Sequence, residues 1–163
     1  MILKMERVDN ILHNRQYREL LDEIEKLEKD RIFCRHDLDH AIDVARLMVI
    51  LASDENVAID RDVMYATALL HDIGRRKQYT EGVRHEIASA DIAPSILRES
   101  GYSFEESSMI TEAITQHGNE EIKDCRDLKG ILYRADKLSR KCYKCKAIDK
   151  CHKAPEKRIM SVV

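Results

Sequence analysis

The stretch Ala66-Thr67-Ala68-Leu69-Leu70-His71-Asp72-Ile73-Gly74 constrains this chain more than any other. A run that is apolar on every side belongs in an interior, yet this one ends in adjacent His and Asp. Burying those side chains is costly unless something compensates them, and a metal ion does so. Gly74 reads as a left-handed C′ residue that stops the helix. His71 and Asp72 then fall in its last turn, where the negative end of the helix dipole favours a cation. A satisfied core histidine beside a capping carboxylate would also explain the dipeptide taken alone. The rest of the chain decides between the two.

That chain is long enough, at 163 residues, for one domain with a real core. Two Pro, five Gly and two Phe, among abundant Lys, Glu, Ile, Leu and Ala, argue for an all-α protein. Apolar residues at helical spacing, from Val8 to Leu27, predict an amphipathic helix over Glu6–Asp30. Arg31–Arg35 is a connection, and a second helix follows with His40, Val44, Leu47, Met48 and Leu51 on one face. Ser53–Ile59 is a polar loop, and Asp60 is placed to cap the central helix. Arg75–Val83 reads as an irregular loop. His85, Ala88, Ile92 and Ile96 define a fourth helix, which Pro94 is expected to kink. Ser103-Phe104-Glu105-Glu106 is a capping-box signature for a fifth, which carries Ile110, Ile114 and His117 on one face and ends at Gly118. Leu128–Leu138 is a sixth, with Asp136 at the edge of its apolar stripe.

The oddity of the opening stretch thus recurs on five helices. His40, His71-Asp72, His85, His117 and Asp136 each sit on or beside an inward face. So many imidazoles and carboxylates in one small domain are hard to satisfy separately by hydrogen bonds, and a shared metal site satisfies them together. Mixed His and Asp ligands suit Fe, Mn, Zn, Co or Ni and disfavour Cu(I).

The order His40-x-x-x-Val44-Ala45, then His71-Asp72-Ile73-Gly74, then Ala135-Asp136-Lys137-Leu138 resembles the HD-domain metal-dependent phosphohydrolase superfamily, over roughly Arg35–Arg140. The likeness is to its small stand-alone members. It implies an all-α HD helical bundle (35–140); by spacing and composition, the residues that flank it read as an N-terminal amphipathic helix packed on it (1–34) and a Cys-rich basic tail (141–163). It also implies a metal held by His40, His71, Asp72 and Asp136. His85 and His117 look like the extra histidines of dinuclear members, among them small hydrolases of diadenosine polyphosphates. On that pattern Asp72 bridges two metals. His40 and Asp136 hold one, His85 and His117 the other, and His71 lies beside the bridge. In the mononuclear alternative, His85 and His117 contact phosphate instead.

The expected activity is cleavage of a phosphoester or phosphoanhydride in a nucleotide or dinucleotide polyphosphate by metal-activated water. Arg75, Arg76 and Lys77 follow the ligands directly and are candidates to offset phosphate charge; the alternative is a solvated basic loop. His36, one turn before His40, is a candidate for acid catalysis, phosphate contact or simple capping. Glu81, Glu86 and Asp43 are candidate proton-transfer groups. The sequence departs from several branches. It has no acidic pair after His71-Asp72, no acidic residue three positions past Asp72, and no Gly-Tyr-Pro, since Gly101-Tyr102 leads into Ser103.

The tail carries Cys142-Tyr143-Lys144-Cys145 and then Cys151-His152, the first half of a zinc-ribbon spacing that Cys151, His152 or the distant Cys125 could complete; an iron–sulfur cluster is a second option and free thiols a third. Five Cys in all suits a reducing cytoplasm better than a disulfide framework. A formal charge of −2 supplies no basic footprint for duplex nucleic acid. Met1–Arg7 lacks the apolar region of a leader, and the most apolar stretch, Ala41–Ala52, is interrupted by Asp43 and Arg46. The expected partner is a small phosphorylated molecule, with the chain a monomer or homodimer. Two rival readings remain at this level: a di-iron oxygenase, and a non-catalytic metal or redox sensor worked by the tail.

Overall fold

The computed structural model describes residues 4–162. Met1–Leu3 and Val163 lie outside that range, so the reading of Met1–Arg7 falls partly outside it too. Among the described residues there are eight α-helices and no strand: α1 (Glu6–His13), α2 (Arg15–Leu27), α3 (Leu38–Asp54), α4 (Arg61–Leu70), α5 (Arg75–Glu81), α6 (His85–Glu99), α7 (Phe104–Gln116) and α8 (Leu128–Leu138). No helix among them is long and apolar enough to cross a membrane.

The central element is α4. Its small side chains Ala66, Thr67 and Ala68 are fully buried with Leu70, so neighbours approach it from every side. Helices α1, α3, α6, α7 and α8 all pack against it. The inward stripes of α3 (Val44, Ala45, Met48), α7 (Ile110, Ala113, Ile114) and α8 (Ile131, Leu132, Ala135) close the core around it. Amphipathic periodicity therefore translates directly into packing.

The expected single helix over Glu6–Asp30 is two helices. Asn14 adopts extended backbone between them, and its side chain accepts a hydrogen bond from Tyr17 N at 3.1 Å, which caps α2. Both helices join the core, α1 on α4 and α6, α2 on α5, through Val8, Ile11, Tyr17 and Ile24. Arg75–Val83, expected as a loop, contains α5, which Gly82 ends in the left-handed region at φ 71°. Helix α6 runs unbroken through Pro94, and Asp60 stands at the N-cap of α4 without a side-chain cap bond. The Ser103–Glu106 capping box forms in both halves.

Gly74 is glycine for a reason other than the expected one. Its φ of −78° is an ordinary right-handed value. What excludes a side chain is the start of α6: a Cβ at Gly74 would lie 2.4 Å from both His85 O and Ser89 N. Gly74 N donates instead to Ser89 Oγ at 2.8 Å, which seats α6 against the His71–Gly74 turn.

A second clamp joins α2, α5 and the entry to α3. The buried carboxylate of Glu28 accepts from His36 N at 2.7 Å, from His36 Nδ1 at 2.5 Å and from Tyr79 Oη at 2.5 Å. Burial alone would raise its pKa, but those hydrogen bonds outweigh burial and bring it down to about 2. The tail is also ordered. Short 3-10 turns at Cys142–Lys144, Ile148–Lys150 and Pro155–Lys157 fold it back on itself. Tyr143 N donates to Ile159 O at 3.2 Å, and Arg158 donates to the carbonyl oxygens of Lys153 and Cys151.

Two outcomes are expected. Gly74→Ala sets a methyl against backbone that cannot rotate away, so it should lower unfolding free energy by about 3 kcal/mol; a loss below about 1 kcal/mol in denaturant titration would show that α6 can shift. For Glu28 the folded pKa is depressed from 4.5, so its stabilisation is complete above that value and lost as pH falls toward 2. That contribution is on the order of 3 kcal/mol. The stability gap between wild type and Glu28→Gln should therefore be widest near pH 7 and narrow between pH 4.5 and 3; a gap that stays constant with pH refutes the linkage.

Candidate metal centre

Five helices each bring a ligand-type side chain to one place, and all of them do so within a turn of a helix end. His40 lies in the first turn of α3, and His71 is the C-cap of α4 with Asp72 beside it. His85 opens α6, His117 is the C-cap of α7, and Asp136 lies in the last turn of α8. All but the partly exposed His85 are buried.

Two groups result. In the first, one atom each from His40, His71, Asp72 and Asp136 lie mutually within 4.8 Å. Asp72 Oδ2 is 3.4 Å from His40 Nε2 and 3.0 Å from His71 Nε2; Asp136 Oδ1 is 3.3 Å and 3.7 Å from the same two nitrogens. Ligands at about 2.1 Å from a common ion would stand about 3.0–3.4 Å apart in octahedral or tetrahedral arrangement, so the spacing fits one cation. In the second group, Asp72 Oδ1 is 3.4 Å from His85 Nε2 and 4.0 Å from His117 Nε2, and the two nitrogens are 3.0 Å apart.

The imidazoles are held with Nε2 inward. His71 Nδ1 is bonded to Ala68 O at 2.7 Å, and His117 Nδ1 to Ile114 O at 2.6 Å. Since a carbonyl only accepts, each Nδ1 carries the proton and each neutral Nε2 keeps its lone pair for a cation. His40 Nδ1 lies 3.3 Å from Ser139 Oγ, whose hydroxyl donates to Asp136 O. Lys137 Nζ occupies Asp136 Oδ2 at 2.7 Å, which leaves Oδ1 for the cluster.

The donor set demands positive charge. His71 Nε2, Asp72 Oδ2 and Asp136 Oδ1 are buried with no hydrogen-bond partner among the described residues. Burial would raise both Asp pKa values, but the neighbouring imidazoles and cations hold them well below the carboxylate range. Burial would lower His71, yet the two carboxylates outweigh it and raise it to about 10. A proton drawn onto His71 does the work that a cation would do. His85 and His117 behave oppositely: burial lowers both, His85 to about 3, so they stay neutral and able to ligate. The cluster could hold a divalent cation.

Of the three basic residues after the ligands, only Arg75 joins the site, with Nε 3.0 Å from Asp72 Oδ1. Arg76 is drawn outward to Glu23 at 2.7 Å and to Glu81, while Lys77 makes no recorded contact with the cluster. Asp43 is paired with Lys141, and Glu86 lies 3.2 Å from His85 Nδ1 and is paired with Arg84. His36 is buried, 5.8 Å edge-on from His40, with Nδ1 committed to Glu28. No three ligand atoms from Cys142, Cys145, Cys151 and His152 lie mutually within 4.8 Å among the described residues. His152 packs edge-on to Phe33 at 5.8 Å, and all five cysteines are free.

Three contributors escaped the sequence reading. Arg140 lies 3.6 Å from Asp136 Oδ1 and 3.4 Å from His40 Nε2; its place four residues after Asp136, just past the end of α8, was a usable signal. Ser139, which orients His40, and Glu28, which orients His36, left no comparable pattern.

Residues 37–141 match the family described as HD domain. An uncharacterised protein of Clostridium beijerinckii is similar, 40% identical over 154 residues that cover 94% of this chain and 96% of its own. No solved structure matches. The five-helix cluster lies almost wholly inside the matched span, and on that basis the chain belongs to the HD-domain family, the superfamily of metal-dependent phosphohydrolases.

Proposed function

We propose that this protein is a phosphohydrolase with a two-ion centre that cleaves a phosphoester or phosphoanhydride in a nucleotide. The observation that carries the reading is the position of Asp72. Its Oδ2 faces the His40–His71–Asp136 group and its Oδ1 faces His85 and His117, the geometry of a bridging carboxylate. Bound there, divalent cations supply a water acidified toward a pKa of about 7 and polarise the phosphoryl oxygens. Fe, Mn, Ni, Co and Zn all suit these ligands.

The chain's own residues do the rest. Arg75 and Arg140 flank the cluster from opposite ligands, Asp72 and Asp136. Both guanidiniums border the cavity that opens beside His40, where they offset charge on the transferring phosphoryl group. His36 lines the same cavity. With its Nδ1–H given to Glu28, its Nε2 is free to take a proton at the rim, a carboxylate–histidine pair acting as general base. Glu28 acts through His36 and is a positioning residue.

Protein purified without added metal should carry two ions per chain, falling to one in a His85→Ala/His117→Ala double variant, with at least a hundredfold loss of nucleotide hydrolysis. One ion in both proteins would leave a mononuclear enzyme whose outer histidines touch substrate. No hydrolysis of nucleoside phosphates or dinucleotide polyphosphates with any of the five metals would defeat the phosphohydrolase reading.

A further inference from the structure

A cavity of about 460 Å3 opens beside His40, between residues 31–36 and the folded tail. That volume is within the range of small-molecule sites, roughly 300–1,000 Å3. Its lining is basic out of keeping with a chain of net charge −2. Eight Lys and Arg face three Asp, all three on or at the start of α3. Those acids are engaged close to that helix: Asp37 caps it at His40 N, and Asp43 pairs with Lys141.

The basic residues that the two flanking segments contribute have no such compensation. Arg31, Arg35, Lys144, Lys153 and Arg158 form no ion pair among the described residues. The three guanidiniums are fixed by backbone carbonyls: Arg31 by Cys34 O at 2.8 Å, Arg35 by Lys29 O at 3.0 Å and Arg158 by Lys153 O and Cys151 O at 3.1 Å. A carbonyl orients a guanidinium without neutralising it. Arg140 joins these residues to the metal cluster, since one nitrogen bonds Arg35 O at 3.1 Å while another lies 3.6 Å from Asp136 Oδ1. Fixed, unneutralised guanidiniums lining a cavity are the arrangement that recognises phosphate.

We infer that this tail-walled cavity is a second phosphate site, which takes the phosphates of the substrate beyond the one that reacts. The substrate is then a molecule with a chain of two or more phosphoryl groups: one lies at the metal cluster, and the rest run past Arg140 toward Arg35, Lys144, Lys153 and Arg158. The identity of the ligand as substrate rests on the phosphohydrolase reading; the site itself rests on the cavity and its charge. The tail is thereby a wall of the substrate site, and its turns serve to hold Lys144, Lys153 and Arg158 in place.

The test uses the full chain as purified and inorganic tripolyphosphate. The variant Arg35→Gln/Lys144→Gln/Lys153→Gln leaves Arg158 and its tail contacts intact. It should bind tripolyphosphate at least tenfold more weakly, and raise KM for a polyphosphate substrate with kcat for a phosphomonoester unchanged. A charge-matched control, Lys146→Gln/Lys150→Gln/Lys157→Gln, removes lysines that do not line this cavity and should bind as wild type does. Equal weakening in both variants, or none in either, overturns the proposal. So does orthophosphate that binds as tightly as tripolyphosphate without raising KM, because the cavity would then hold a separate effector. Selective loss of tripolyphosphate binding in a protein that hydrolyses nothing would uphold the phosphate site and defeat the phosphohydrolase reading alone.

Discussion

The structure depends on a carboxylate that has no reason to be buried by itself. Asp72 is 7% exposed, its carboxyl is held well below the usual carboxylate range, and its Oδ2 makes no hydrogen bond among the described residues. Breaking one partner from a buried charge costs about 3–5 kcal/mol, so such a group persists only where its surroundings over-determine it. Here Asp136 adds a second negative charge within the same cluster, and the two carboxylates raise the His71 pKa to about 10. Arg75, Lys137 and Arg140 answer the carboxylates from outside the cluster, yet Asp72 Oδ2 and Asp136 Oδ1 make no hydrogen bond among the described residues. A divalent cation would complete the compensation, which would make metal binding and the integrity of the bundle end a single problem.

The bundle is built to hold that problem still. Ligands at helix ends are fixed by backbone that is already hydrogen-bonded, and the free carbonyls of the last turn are where His71 and His117 anchor their Nδ1 protons. The same carbonyls define the tautomer. The close contact of Gly74 with α6 then sets the distance between Asp72 and His85, because both flank it. A side chain at Gly74 would thus disturb the second group of ligands through packing, with no ligand touched. Fold and chemistry meet at a residue that has no functional group.

Much of this was legible in the sequence because it is written in residue types that are out of place. Inward His and Asp on otherwise apolar faces announced the cluster, and the helical stripes that carry them packed as their periodicity requires. What escaped depended on groups whose partners are remote or generic. Asn14 breaks a helix that apolar spacing alone would continue, since periodicity does not register a capping side chain. Arg75–Val83 is rich in charge and carries Gly82 near its end, which reads as a loop, yet Arg75–Glu81 forms α5. Gly74 was identified correctly as special and for the wrong cause, because a close approach across the fold leaves no local trace. The cysteine spacing stands differently. A short motif is a claim about convergence in space, and no three ligand atoms from Cys142, Cys145, Cys151 and His152 lie mutually within 4.8 Å among the described residues.

The division between shared and particular chemistry follows from where the pieces lie in the chain. The candidate metal cluster falls inside residues 37–141, the span that matches the family. The cavity beside it is walled largely by what flanks that span, residues 31–36 on one side and 142–158 on the other. Glu28, which clamps His36 against the rim, is also outside it. On the phosphohydrolase reading proposed above, the ligands of the centre would contact only the group that reacts. Choice among phosphates would then come from side chains that reach the remainder of the substrate, and beside His40 those are Arg75, Arg140 and Lys141 of the matched span and, in larger number, the basic residues of the flanking segments. The Clostridium relative aligns over 94% of the chain and so shares most of both flanks as well as the core. The unit to compare between the two proteins is therefore the whole chain.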